Sequence, residues 1–153
     1  VMKVLFLDID GVIVTEWQGF FNPDLMRNLE KVVQATGATI VLSSDWRRGF
    51  VSRWYAQLAL RYYGLRYDEC TICLEHLPLQ RSFEISEWLR CHRNRGGQSV
   101  THWVAVDDRD LLRERGGEEL RGHFVRTDPA IGLDERVSAA LVDILQGPEG
   151  GQY

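Results

Sequence analysis

The sequence predicts an α/β domain built on a doubly wound (Rossmann-like) parallel sheet flanked by helices. Three observations carry that prediction. Short apolar runs alternate with stretches of helical periodicity, the pattern of βαβ units. The first run, Lys3-Val4-Leu5-Phe6-Leu7, is apolar at successive positions from Val4 on, as a strand covered on both faces must be. Three runs end in carboxylates or a hydroxyl, at Asp8/Asp10, Ser43 and Asp107/Asp108, on the edge where such sheets bind ligands.

Strand one is expected over residues 3–9. Gly11 follows the acidic pair and permits a sharp turn. A first helix is expected from Pro23 to Gln34, with Asn22 as its cap, Leu25, Leu29 and Val32/Val33 as its buried stripe, and Gly37 as its stop. Strand two is Ala38–Leu42, running into Ser43 and Ser44. A second helix is expected over 47–63, with Val51, Trp54/Tyr55, Leu58 and Tyr62 on the core face and Gly64 ending it. A short strand over 70–74 leads through Pro78 to a third helix over 82–93, and 94–99 is a loop. Strand four is His102–Val106, and a fifth strand covers 122–126. A turn at Asp128-Pro129 and Gly132-Leu133 enters a last helix over 134–145.

A chain of 153 residues, 44% hydrophobic and 26% charged, suits one domain over 1–146 with a flexible tail over 147–153. No apolar run reaches the roughly 20 residues of a membrane span, and no signal-peptide core is evident. Val1 reads as an addition ahead of the start at Met2. Three cysteines do not suggest a disulfide framework, so a reducing, cytoplasmic setting is expected. A net charge of −4 argues against a general DNA-coating surface.

In an extended segment, side chains at i and i+2 point the same way, so Asp8 and Asp10 can converge. Close carboxylates repel, and a divalent cation is the simplest relief. With Ser43 and Asp107/Asp108 on the same edge, the site holds a nucleophile, an acid/base, a phosphate-oxygen donor and a metal cradle. That inventory suits phosphoryl transfer, which rests on positioning and charge neutralisation.

Asp8-Ile9-Asp10-Gly11-Val12, Ser43 and Asp107-Asp108 resemble three motifs of the haloacid dehalogenase (HAD) superfamily. The resemblance implies a magnesium-dependent phosphohydrolase without a sizeable cap domain. Asp8 would be the nucleophile and touch the Mg2+. Asp10 would be the acid and then the base, its carbonyl completing the metal shell. Ser43 would hold a phosphate oxygen, Asp108 would ligate directly, and Asp107 would ligate through water. The family's usual lysine before strand four is missing: Lys3 and Lys31 lie elsewhere. Arg81 is the first substitute for gripping phosphate, and Arg47 the second.

The intervals from Asp10 to Ser43 and from Ser44 to Arg81 leave no room for a cap. An open site suits phosphates on macromolecules, or a lid lent by a partner domain. The elements Ser43–Arg47, Arg81–Leu89 and Val106–Arg109 are further similar to the HAD domains of RNA repair proteins, and the last also resembles the phosphatase half of phage polynucleotide kinase-phosphatases. This implies nucleotide or nucleic-acid terminal phosphates as substrate.

Other readings compete with these. The arginines and aromatics of residues 47–67 could stack and hold single-stranded nucleic acid, but an amphipathic core helix is the plainer reading. A silent nucleic-acid-binding domain and a phospho-receiver module are the alternatives to an enzyme; the latter would want a lysine that residues 122–128 lack. Cys70 and Cys73, near His76, Cys91 and His92, invite zinc. Two zinc-bound sulfurs stay within roughly 4.6 Å, whereas strand residues three apart are about 10 Å apart. Buried thiols are therefore expected. His102 and His123 should be structural, Arg90, Arg93 and Arg95 should form a solvated helix end, and Asp110 should cap a turn.

Overall fold

The computed structural model describes residues 1–16, 18–74 and 79–148. Strands β1 (Met2–Leu7), β2 (Thr39–Leu42), β3 (Tyr67–Cys70), β4 (Val100–Asp107) and β5 (Phe124–Arg126) form one parallel sheet. Its order is β3-β2-β1-β4-β5. The chain starts mid-sheet, winds outward to β3 and returns across β1 to β4, so the winding reverses between β1 and β4. A crevice opens at such a reversal, beyond the carboxyl ends of the strands.

Helices α1 (Pro23–Thr36), α2 (Phe50–Tyr62) and α4 (Glu135–Gln146) cover one face of the sheet, and α3 (Arg81–Asn94) covers the other. Alternation along β1 divides the core between them. Leu5 and Leu7 pack with Leu29 of α1, Leu60 of α2 and Leu141 of α4. Val4 and Phe6 pack with Ile85 and Trp88 of α3, and Phe6 meets the edges of Trp88 at 5.3 Å and Trp103 at 5.9 Å.

Helix α1 follows its sequence signals. The Asn22 side chain accepts from the Asp24 and Leu25 N–H groups, a cap worth about 1 kcal/mol. Gly37, at φ 69°, ends the helix in the left-handed conformation.

Helix α2 inverts the expectation. The helix predicted over 47–63 breaks at Gly49, and Asp45–Arg48 form a separate 3-10 turn capped by Ser44. Ala56 and Leu60 are the residues fully buried. The expected core stripe faces solvent: Val51 is 74% exposed, Trp54 59%, Leu58 50% and Tyr62 84%. The helix carries apolar residues on both faces, and the small Ala56 lets it approach the sheet. Gln57 fixes that approach by bonding the Tyr67 N–H and carbonyl on edge strand β3.

Smaller corrections follow. The third strand lies earlier than expected, at Tyr67–Cys70, paired with β2. Asp110 makes no cap hydrogen bond and instead pairs with Arg113 and Arg126. His102 bonds the Gly147 carbonyl at 2.8 Å, and His123 stacks on Trp103, both structural as expected. The expected features at His76, Pro78 and the tail beyond Pro148 lie outside the described residues. No described helix is long and apolar enough to cross a membrane.

Candidate active site

Register builds the site. Leu7 pairs with Leu42 on β2 and Val106 on β4, so the next residues of the three strands emerge side by side. The Asp8 N–H donates to the Val106 carbonyl and the Ser43 N–H to the Leu7 carbonyl. Asp8, Ser43 and Asp107 are all buried. One carboxylate oxygen from each of Asp8, Asp107 and Asp108 lies within 4.8 Å of the others.

Arg81 opens α3 and points its guanidinium into this group. Its Nη1 lies 2.6 Å from Asp107 Oδ2 and 3.2 Å from Asp8 Oδ2, and its Nη2 lies 3.3 Å from Asp45. Burial works against its charge, but Asp8, Asp107 and Asp45 outweigh burial and raise its pKa. Three carboxylates, once all are ionised, leave two formal negative charges against this one buried cation, which a divalent cation balances. Burial pushes the Asp8 carboxyl up to about 8, against the pull of Arg81 and with the help of Asp107. Burial, followed by Asp107, also raises Asp108.

The donor set is all oxygen, and its cradle is tight. Gly11 sits at φ +75°, and a Cβ there would fall 2.5 Å from Asp108 Oδ2. Thr127 braces the same turn, its hydroxyl donating to the Gly11 carbonyl at 2.7 Å and its N–H to the Asp107 carbonyl at 3.0 Å. The Ser43 hydroxyl is buried with no hydrogen-bond partner, an unmet donor beside the carboxylates. Such a set fits a hard cation with phosphate oxygens completing its shell.

Asp10 departs from the expected geometry. Because β1 stops at Leu7 and the chain turns at Gly11, the i, i+2 alternation does not extend to it. Its side chain is exposed and lies outside the three-carboxylate group. There it accepts a hydrogen bond from Trp46 Nε1 at 2.9 Å. Arg47 also serves elsewhere. It is buried, pairs with Glu84 and donates to the Ser44 carbonyl at 2.7 Å, while Glu84 also accepts from the Leu74 N–H. Its Nη atoms are thus spent on the scaffold, which leaves Arg81 as the cation on the carboxylates.

Sequence reasoning missed Thr127, gave Ser44 and Asp45 no role beyond a resembling element, and named Trp46 only there and among aromatics that could stack. The Ser44 hydroxyl draws the Asp8 carboxyl down, against the effect of burial, while accepting from the Trp46 N–H to cap the 3-10 turn. Ser-Asp after a strand is a turn-opening signal, and reading it would have separated this turn from α2. Among the described residues, Cys70, Cys73 and Cys91 are free and form no metal-binding group. Burial raises the Cys70 thiol, as for an inert cysteine.

A family model described as the HAD domain in Swiss Army Knife RNA repair proteins matches residues 4–137. The crystal structure of a D,D-heptose 1.7-bisphosphate phosphatase from B. bronchiseptica, complexed with magnesium and phosphate, shares the fold. Its TM-score is 0.52 at 16% sequence identity, and the match covers 91% of this chain and 96% of that chain. No curated protein matches the chain.

Proposed function

The chain belongs to the family of HAD domains found in Swiss Army Knife RNA repair proteins, and from that premise we propose a magnesium-dependent phosphatase acting on terminal phosphates of nucleic acids through an aspartyl-phosphate at Asp8. The observation that carries this reading is the meeting of one oxygen each from Asp8, Asp107 and Asp108, with Arg81 Nη1 on the first two acids.

An Asp8 oxygen attacks phosphorus, forming an acyl-phosphate bond as the bond to the leaving oxygen breaks. Asp10 gives that oxygen its proton. A water then attacks the same phosphorus, Asp10 takes the proton, and inorganic phosphate departs with the Asp8 carboxylate restored. Arg81 and the unpartnered Ser43 hydroxyl hold the phosphoryl oxygens through both halves. Magnesium would be held by Asp8, Asp108 and the Asp10 carbonyl, with Asp107 through water, and when bound it screens the repulsion between carboxylate and phosphate dianion. Asp107 suits the indirect position because Arg81 and the Arg109 N–H already occupy its oxygens.

The nucleic-acid substrate is supported by the family and by the open site. Among the described residues, the span from Ser44 to Arg81 holds one 3-10 turn, α2 and β3, and no cap domain. The test is phosphate release from a 3′-phosphorylated oligonucleotide with magnesium and with chelator, alongside mass spectrometry of the Asp10→Ala variant given p-nitrophenyl phosphate, whose leaving group needs no proton. Magnesium-dependent release, and one trapped phosphoryl group on Asp8, are expected. Full turnover by Asp8→Asn would overturn the reading. Salt-dependent binding of the strand without any release would leave a silent binding domain.

A further inference from the structure

Trp46 stands between the acid/base and a wall of rings. Its Nε1–H reaches Asp10 Oδ2, and its ring meets the edge of Phe21 at 5.4 Å. It lies nearly parallel to Tyr55, with centroids 6.1 Å apart and planes inclined by 24°. Tyr55 and Phe21 are themselves 5.6 Å apart, so the three rings form one cluster. The cluster opens to solvent: Tyr55 is 46% exposed, and the neighbouring Phe20 52%.

Asp10 can protonate a leaving oxygen only in hydrogen-bond reach, so whatever is bonded to that oxygen must leave past Trp46. A polyol there would seek carboxylates and hydroxyls. What this wall offers is aromatic surface, with Trp46 and Phe21 half-buried against the core and Tyr55 reaching solvent, chemistry suited to a planar, partly polar ring. A cation lies on the same 3-10 turn as Trp46: Arg48 pairs with the exposed Asp45 at 3.5 Å yet keeps 47% of its side chain exposed, so a neighbouring phosphodiester could compete for it.

Resting on the phosphatase reading above, we propose that Trp46, Tyr55 and Phe21 form the leaving-group subsite, and that its occupant is the unpaired base of the terminal nucleotide. Stacking on a ring face does not read base edges, so the subsite accepts all four bases in single strands and rejects a base held in a duplex.

The experiment compares a 3′-phosphorylated single-stranded oligonucleotide with the same strand lacking its terminal base. Base removal lowers kcat/KM of the wild-type protein about tenfold, the scale of one stacked base, and Tyr55→Ala shrinks that factor to about twofold or less. Tyr55→Trp, which keeps a ring, retains the full factor. An equal kcat/KM for the two strands in the wild type, or an undiminished factor in Tyr55→Ala, overturns the subsite while leaving the phosphatase standing. If these strands and glycerol 2-phosphate all go unhydrolysed, the phosphatase reading fails and the subsite falls with it.

Discussion

The turn after β2 and the N-terminus of α3 each bury an arginine against carboxylate. Arg47 and Arg81 are nearly equal in burial, at 6% and 4% exposure, and the sequence offers both as phosphate ligands. Their partners separate them. Arg47 meets Glu84, whose other oxygen accepts from the Leu74 N–H, so the pair closes on the scaffold. Arg81 meets Asp8 and Asp107, which also face a metal cradle and an unmet Ser43 hydroxyl. A buried ion pair is therefore no guide to function until the remaining valences of its acids are counted.

That contrast can be broken in four ways, in descending order of effect. Arg81→Ala should cut kcat by about 10²–10³, the loss typical for one transition-state charge contact, and Arg81→Lys should recover part of it. An Arg81→Ala enzyme as fast as wild type would erase the distinction. Arg47→Ala should do the reverse. Stranding Glu84 costs about 3–5 kcal/mol of stability in chemical denaturation, while the folded fraction keeps its kcat/KM.

The third concerns pH. The Asp8 carboxyl is held at about 8, well above its ordinary 3.8. The native metal-free protein thus binds more protons than the unfolded chain between those values, and its stability falls as pH rises through that window. Asp8→Asn should remove the fall, giving a Tm several degrees above wild type at pH 8.5 without metal and little difference at pH 4. Equal pH slopes for the two proteins would count against Asp8 as the strained acid. The smallest effect belongs to Trp46→Phe, which keeps the ring but drops its bond to Asp10. Its kcat/KM should fall about tenfold on alkyl phosphates, whose oxygen needs a proton to leave, and hardly at all on p-nitrophenyl phosphate.

The residues legible in the sequence are those whose placement follows from local chain position. Asp8, Ser43 and Asp107/Asp108 are strand ends, and α1 is read correctly because its one apolar stripe, its Asn22 cap and its Gly37 stop agree. Arg81 is legible for the same reason, as the opening of a helix ahead of β4. Periodicity failed at α2 because two apolar stripes compete there. The larger stripe suggested a core, while Ala56 and Gln57 decide the packing through contacts with edge strand β3. The contacts of Trp46 and Thr127 were hidden for another reason. Each acts on a residue distant in sequence, Asp10 and Gly11, and only the folded chain brings them together.

The ladder between β1 and its neighbours has a consequence of its own. Because Asp8, Ser43 and Asp107 project from adjacent strands at one level, the spacing of these three groups is measured by backbone hydrogen bonds rather than by side-chain reach. A slip of a single residue would swing Asp8 through the sheet to its other side. Chemistry and central architecture are thus one cooperative unit, and no partly melted form of this protein should retain turnover.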